Sequence, residues 1–266
     1  MFSNDDWVAG APEQRARDLE ALFADPDVDV VQCYRGGYGS AQLIPVLDFE
    51  LVAANPKPFV GFSDITALHE SIRQRTGLAT FYGPGLHSVG AREASDFTRE
   101  QLLARLRGAT GAVPRAPDDP YVRALAGGRV TAPLVGGCLW LLAQTMGTPW
   151  EFQAEGAILF FEDVNLPAWQ LDGMLLQLRA AGKLDGVVGV VVGEIAKSDF
   201  PDARSGFPRV KSLEEVLEAR LGPLGVPVLY GLPLGHGKHL ATLPLGVRCT
   251  LDADARTLTL DEPGAR

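Results

Sequence analysis

The order of apolar and polar positions predicts alternating strands and helices in the first third of the chain. Residues 13–25 carry Leu19, Leu22 and Phe23 on one face, which predicts an amphipathic helix. The same reasoning predicts strands at 27–34 and 57–64 and helices at 65–77 and 98–108. Strand–helix alternation of this kind is typical of a parallel sheet with crossover helices.

The second half of the chain has a different pattern. It predicts strands at 127–137, 157–163 and 186–195, helices at 138–146, 167–184 and 212–222, and a hairpin at Asp252–Arg256. The stretch 109–128 is rich in Gly, Pro, Asp and Arg and lacks periodicity, which indicates a linker. We therefore predict an α/β protein. A Rossmann-like parallel-sheet domain spans 1–108, and an α+β, partly barrel-like domain spans 129–266.

Composition narrows the range of partners. The chain has 266 residues, 46% of them hydrophobic, and a net charge of −9. This acidic balance argues against nucleic acid or an anionic membrane as a partner. Cys33, Cys138 and Cys249 show no paired metal-ligand spacing, which argues against a zinc site. We expect no metal and no cofactor. No apolar stretch reaches membrane-spanning length and the start is polar, so we expect a cytoplasmic protein.

Ser63 is the first candidate for chemistry. It stands in the sequence GFSD, between a predicted strand and a predicted helix, where backbone N–H groups at the helix start can hold an oxyanion. Ile65 occupies the second glycine position of the G-x-S-x-G motif, so that motif is absent. The alternative is that Ser63 merely caps the helix, helped by Asp64 and Thr66.

Three further features are weak when taken singly. His236 is a candidate base between two glycines, and Glu162 closes an apolar strand, where a carboxylate can orient an imidazole. The alternatives are a structural turn histidine and a solvated strand end. His239 makes a metal site with His236 a weaker alternative, since no further ligand stands at suitable spacing. The RGGYGS loop at 35–40 is either a tight turn or a source of backbone donors.

Together these segments resemble the LD-carboxypeptidases. The sequence RGGYGSAQLIPVLDFELVAANPKPFVGFSDITAL is similar to that family's glycine loop and nucleophile turn. The later blocks GGCLWLLAQTMGTPW, ILFFEDVNLPAWQLDGMLLQLRAAG and GLPLGHGKHLATLPLG follow in the family's order. The resemblance covers nearly the whole sequence.

The resemblance implies a serine peptidase with a Ser63–Glu162–His236 triad. It implies an oxyanion hole made by the backbone N–H groups of Asp64 and Gly37, and a homodimer. The implied reaction releases terminal D-alanine from a cytoplasmic murein tetrapeptide during cell-wall recycling.

The groups that hold the substrate's carboxylate are not implied by the resemblance. Arg35 and Tyr38 flank the glycine loop and are candidates for substrate binding, although Arg35 can equally be a surface charge.

Two departures leave other functions open. Many relatives carry a second glutamate and an arginine where this chain has Leu166 and Gly173. The family also has a strand–helix–strand unit before the region that matches the start of this sequence. One alternative function is hydrolysis of microcin C-type peptidyl-nucleotides, and another is an inactive protein that binds peptidoglycan fragments.

Overall fold

A computed structural model describes residues 7–90, 94–118, 121–198 and 211–264. Its helices are α1 (Pro12–Ala24), α2 (Phe49–Ala54), α3 (Thr66–Thr76), α4 (Leu86–Gly90), α5 (Asp96–Leu106), α6 (Leu139–Gln144), α7 (Ala168–Ala180) and α8 (Leu213–Leu221). Its strands are β1 (Val31–Gln32), β2 (Phe59–Gly61), β3 (Thr80–Tyr82), β4 (Gly111–Ala112), β5 (Arg123–Ala126), β6 (Arg129–Cys138), β7 (Ile158–Val164), β8 (Gly189–Ala196), β9 (Val228–Tyr230), β10 (Leu243–Leu245), β11 (Arg248–Asp252) and β12 (Thr257–Leu260).

The strands form two sheets, which makes this a mixed α/β fold as predicted. The smaller sheet has the order β1-β2-β3-β10, in which β1, β2 and β3 are parallel and β10 is antiparallel to β3. The larger sheet has the order β4-β12-β11-β6-β7-β8-β9-β5, with the run from β6 to β9 parallel. Its two end strands do not pair with each other, so the described residues form no closed barrel.

A strand pairing and a close contact between a helix and a strand connect the two sheets. β10 comes from the C-terminal third of the chain yet pairs with β3 of the smaller sheet. At the start of α3, the Thr66 hydroxyl accepts a hydrogen bond of 2.9 Å from the Cys138 backbone N–H at the end of β6. A Cβ on Gly137 would lie 2.5 Å from the same hydroxyl oxygen, so the helix and strand approach closely only because this residue is glycine.

The segment predicted as a linker belongs to the larger sheet. Within 109–128, β4 pairs with β12 and β5 pairs with β9, both antiparallel. The predicted linker thus contains two short strands that the sequence pattern missed, because edge strands of two to four residues are too short to show alternation. The boundaries of two separate domains stay a prediction.

Most other predicted elements are found, with shifted ends. Gly77 ends α3 with a φ of 73°, the left-handed conformation typical of a glycine cap. The hairpin predicted at Asp252–Arg256 joins β11 to β12. The predicted strand 27–34 is reduced to the two residues of β1. No helix of the described part of the chain is long and apolar enough to cross a membrane.

His69 is a buried titratable group on α3 that contributes to the fold. Its ring is 1% exposed and packs against Phe59 and Tyr82, and its Nε2–H donates a 2.9 Å hydrogen bond to the Gly61 carbonyl. Burial lowers the pKa of His69 to about 4, although the hydrogen bond to Gly61 opposes that shift. His69 is therefore neutral in the folded protein at neutral pH.

This burial predicts acid sensitivity. The folded pKa lies below the unfolded value of about 6.5, so the contribution of His69 is complete above pH 6.5 and is lost as the pH falls towards 4. The loss reaches about 3 kcal/mol in the free energy of unfolding. Urea unfolding between pH 7.5 and 4.5 should show a shallower loss in His69→Gln, whose amide can still donate to Gly61. Equal slopes in the two proteins would contradict this role for His69.

Candidate active site

The turn that carries Ser63, the predicted nucleophile turn, lies at the carboxyl edge of the smaller sheet. Ser63 directly follows β2 and Phe62, and its φ of 61° is in the left-handed region that a serine rarely adopts. The N-cap of α3 is Ile65, and no side chain makes a capping hydrogen bond there. Ser63 therefore does not cap α3. Its left-handed backbone conformation requires another explanation.

Strand alternation determines which of two adjacent acids of β7, Glu162 or Asp163, faces this turn. Along β7, Leu159 and Phe161 pack into the core beneath α6 and α7, whereas Ile158 and Phe160 pack on the opposite face. Glu162 shares the face of Phe160 and is 0% exposed.

Asp163 points the other way along β7. Its carboxylate accepts a 2.8 Å hydrogen bond from the Trp140 backbone N–H in the first turn of α6. Burial raises the pKa of Asp163 to about 6, while the hydrogen bonds from Val164 and Trp140 oppose this shift. The first acid of the pair thus faces the site, and the second anchors a helix.

His236 lies against both Glu162 and the nucleophile turn. The His236 Nδ1 and Glu162 Oε2 atoms are 2.7 Å apart and share a hydrogen bond. The His236 ring centroid is 5.1 Å from that of Phe62, the residue before Ser63. Within the described residues the Ser63 Oγ makes no hydrogen bond to His236, and such nucleophile–base contacts are often long in unliganded enzymes.

The pKa of His236 reflects opposing effects. Burial lowers it, but the hydrogen bond and negative charge of Glu162 outweigh burial, with a further contribution from Asp163. The net result is a pKa above the ordinary value for histidine. An imidazole held in this way can accept a proton and is stabilised once protonated.

The glycine loop lies directly over Ser63. A Cβ on Gly36 would lie 2.9 Å from the Cβ of Ser63, so a larger residue has no room there. The Asp64 carboxylate accepts a 2.8 Å hydrogen bond from the Ser40 backbone N–H, which ties the end of the loop to the nucleophile turn. The tight turn of this loop therefore places backbone groups beside Ser63.

The other predicted site residues differ in their exposure. Gly37 on the loop is exposed, whereas Asp64 on the nucleophile turn is buried. Arg35 and Tyr38 are exposed on the loop, Tyr38 to 61%, and the Arg35 guanidinium lies over Gly37. The loop thus places the Arg35 guanidinium beside Gly37, next to the contact between Gly36 and Ser63.

His239 has a different environment from His236. Its Nδ1 lies 2.9 Å from the Ser95 hydroxyl, and its Nε2 lies 2.6 Å from the Asp118 carboxylate. Both ring nitrogens therefore bind side chains of other segments. His239 anchors the loop that carries His236 to the start of α5.

Leu166 and Gly173, the two positions that depart from the family pattern, are packed away from Ser63 and His236. Leu166 is 2% exposed and packs into the core that includes α7, while Gly173 on α7 has open space around it. Leu166 therefore supplies an apolar contact where many relatives are expected to carry a charge.

Tyr82 is a site residue that the sequence analysis missed. Its hydroxyl accepts a 3.0 Å hydrogen bond from the Ser63 backbone N–H and donates one of 2.5 Å to Glu162 Oε1. Tyr82 pairs in register with Gly61, two residues before Ser63. The pairing of neighbouring parallel strands was the available signal, since the residue that ends β3 must lie beside the turn that follows β2.

Comparison with known proteins identifies the family. The model of the LD-carboxypeptidase N-terminal domain matches residues 2–83, and that of the C-terminal domain matches residues 131–251. The chain belongs to the LD-carboxypeptidase family. Ser63 lies within the first matched region, and Glu162 and His236 lie within the second.

Individual relatives agree with this assignment. A putative carboxypeptidase of Streptomyces coelicolor is 42% identical over 97% of this chain and 80% of its own. A crystal structure of muramoyltetrapeptide carboxypeptidase from Oxalobacter formigenes has a TM-score of 0.86 at 30% identity, covering 100% of this chain and 89% of that one. The microcin C7 self-immunity protein MccF has a TM-score of 0.87 at 25% identity, covering 99% and 85%.

Gly235 offers a test of the site geometry. Its φ is 123°, and a Cβ there would lie 2.2 Å from Glu162 Oε2, so the substitution Gly235→Ala must displace the carboxylate. We expect a loss of about 100-fold in kcat/KM, the size typical of a displacement of about 1 Å in an active site. Gly147→Ala is the matched control, because its φ is 78° and nothing lies near its added Cβ. Equal losses in both variants would indicate backbone strain alone.

The raised pKa of His236 predicts the pH profile. The general base must be neutral, so kcat/KM should fall on the acidic side with a midpoint above about 6.5. Removing the charge in Glu162→Gln should move that midpoint to lower pH and lower kcat by about 10⁴-fold. An unchanged midpoint in this variant would contradict the assigned pairing.

Proposed function

We propose that this protein is a serine carboxypeptidase that hydrolyses an L,D-amide bond and releases terminal D-alanine from a cytoplasmic murein tetrapeptide in cell-wall recycling. The observation that carries the proposal is the 2.7 Å contact between buried Glu162 and His236, whose ring lies against the nucleophile turn. A carboxylate, an imidazole and a strained serine in this order suit acyl transfer.

The proposed reaction begins with proton transfer from the Ser63 hydroxyl to His236 Nε2. Nε2 is the basic nitrogen because Nδ1 is engaged by Glu162. The Ser63 oxygen attacks the amide carbonyl, and the backbone N–H groups of Asp64 and Gly37 stabilise the oxyanion. The imidazolium then protonates the leaving amine of D-alanine. Water, deprotonated by His236, hydrolyses the resulting ester and restores Ser63.

The choice of substrate rests on family relatives and on the surface charge near the loop. The name of the structural relative from Oxalobacter formigenes specifies a muramoyltetrapeptide substrate. Arg35 is an exposed cation on the loop that covers Ser63, where it can pair with the terminal carboxylate of a peptide, and Tyr38 is exposed beside it. A carboxypeptidase requires such a group close to its nucleophile.

Release of D-alanine tests the proposal directly. The purified protein should release D-alanine from the murein tetrapeptide, and Ser63→Ala should lower kcat by about 10⁴-fold or more. The isomeric peptide that ends in L-alanine is the matched substrate control and should be cleaved far more slowly. Equal release from both peptides would contradict L,D-specificity.

Two other outcomes would indicate the other functions. Hydrolysis of an aminoacyl-sulfamoyl adenosine in preference to the tetrapeptide would indicate an activity like that of MccF. Binding of the tetrapeptide without hydrolysis, together with no Ser63-dependent labelling by a fluorophosphonate, would indicate an inactive binding protein.

A further inference from the structure

The Tyr82 hydroxyl connects the two halves of the site. Tyr82 ends β3 in the smaller sheet, and Glu162 lies near the end of β7 in the larger one. One phenolic oxygen accepts from the Ser63 N–H at 3.0 Å and donates to Glu162 Oε1 at 2.5 Å. The other carboxylate oxygen of Glu162 lies 2.7 Å from His236 Nδ1. A continuous hydrogen-bonded chain thus runs from the Ser63 backbone to the imidazole.

Packing alone does not explain a tyrosine at this position. Its ring is 0% exposed and contacts the rings of Phe62, His69 and Phe160, contacts that a phenylalanine would also make. A buried hydroxyl loses hydration and is unfavourable unless it is hydrogen-bonded. The Tyr82 hydroxyl is satisfied in both of its hydrogen-bonding roles. It accepts from the backbone N–H of Ser63 and donates to the Glu162 carboxylate.

The hydroxyl remains a donor throughout the working pH range. Burial raises the pKa of Tyr82 well above its ordinary value, and the charge of Glu162 raises it further. The proton therefore stays on the phenol and points to Glu162, rather than being transferred in the reaction. Because the Ser63 N–H is bound by Tyr82, it is not available to an oxyanion, which agrees with Asp64 as the donor.

We propose that Tyr82 is a positioning residue whose hydroxyl holds the Ser63 turn and the Glu162 carboxylate at a fixed separation. This inference rests on the proposed function. By donating to Oε1, Tyr82 holds Glu162 in the orientation that presents Oε2 to His236. By accepting from Ser63, it supports the backbone conformation at φ 61°. By drawing charge towards Oε1, it also moderates the effect of Glu162 on the imidazole.

Tyr82→Phe removes the oxygen and keeps the ring. We expect kcat to fall about 10- to 100-fold with KM changed less than about threefold, since outer partners of a site orient its reactive groups. Glu162 should act more strongly on His236 without the competing donor. The pKa of His236, followed by NMR of the imidazole protons, should therefore rise by about half a unit, and the acidic limb of the pH profile should move with it.

Two further variants keep this test decisive. Tyr121→Phe is the matched control, because its hydroxyl binds Glu214 on the surface at 2.7 Å, and it should leave kcat and the pKa of His236 unchanged. If Tyr82→Phe does not fold, 3-fluorotyrosine introduced at position 82 keeps the hydroxyl and makes it a stronger donor. This substitution should lower the pKa of His236.

The outcomes separate this inference from the proposed function. An active wild-type protein whose kcat and His236 pKa are the same in Tyr82→Phe would overturn the role of Tyr82. A fluorotyrosine variant in which the pKa of His236 does not fall would also overturn this role. If the wild-type protein cleaves no peptide, the proposed function fails, while the NMR titration of His236 still decides whether Tyr82 sets the state of Glu162.

Discussion

The site depends on one fully buried carboxylate. Glu162 has no exposed surface, and its two oxygens are held by the Tyr82 hydroxyl and the His236 ring. Burying an ionised carboxylate costs several kcal/mol unless hydrogen bonds and an opposite charge compensate for it. Tyr82 belongs to the smaller sheet and Glu162 to the larger one, while His236 lies in the loop between β9 and β10, so the carboxylate is satisfied only when both sheets are in place. The chemistry and the packing of the two sheets are therefore coupled.

Close backbone approach allows this arrangement. Gly235 passes over Oε2 of Glu162, and Gly36 passes over Ser63, at distances that exclude any side chain. On the other side, the pairing of β7 with β8 is irregular between Phe161 and Asp163, and a Cβ on Gly193 would lie 3.1 Å from that of Glu162. Irregular pairing of this kind beside an active site redirects side chains. The glycines of this chain thus shape the site as much as its polar residues do.

The sequence could predict the strand ends where Ser63 and Glu162 stand, because apolar runs followed by polar residues mark the edge of a buried sheet. It could not predict which acid of the pair faces the site, which depends on the face of β7 that is covered by α6 and α7. Family resemblance supplied the choice of Glu162, and alternation along the strand explains it. Tyr82 was missed because it looks like one more aromatic residue of an apolar strand. Its role follows from the parallel register of β2 and β3, and single-sequence patterns do not reveal strand register.

The edge strands within 109–128 were missed for a related reason. They take their conformation from pairing with β12 and β9, which lie more than a hundred residues away in the sequence. The same long-range pairing places β10 in the smaller sheet. Local sequence patterns were sufficient to predict the main helices and the central strands. The edges of the sheets and the assembly of the site depend on contacts between distant segments, which such patterns do not show.

A crystal structure of the protein phosphonylated by a fluorophosphonate tests most directly whether these groups form one reacting site. The proposed mechanism predicts phosphorus bonded to the Ser63 Oγ and the phosphoryl oxygen within hydrogen-bonding distance of the Asp64 and Gly37 N–H groups. It also predicts that His236 Nε2 faces the ester oxygen and that the Tyr82–Glu162–His236 hydrogen bonds are intact. Attachment at another residue, or a phosphoryl oxygen directed away from both N–H groups, would contradict it.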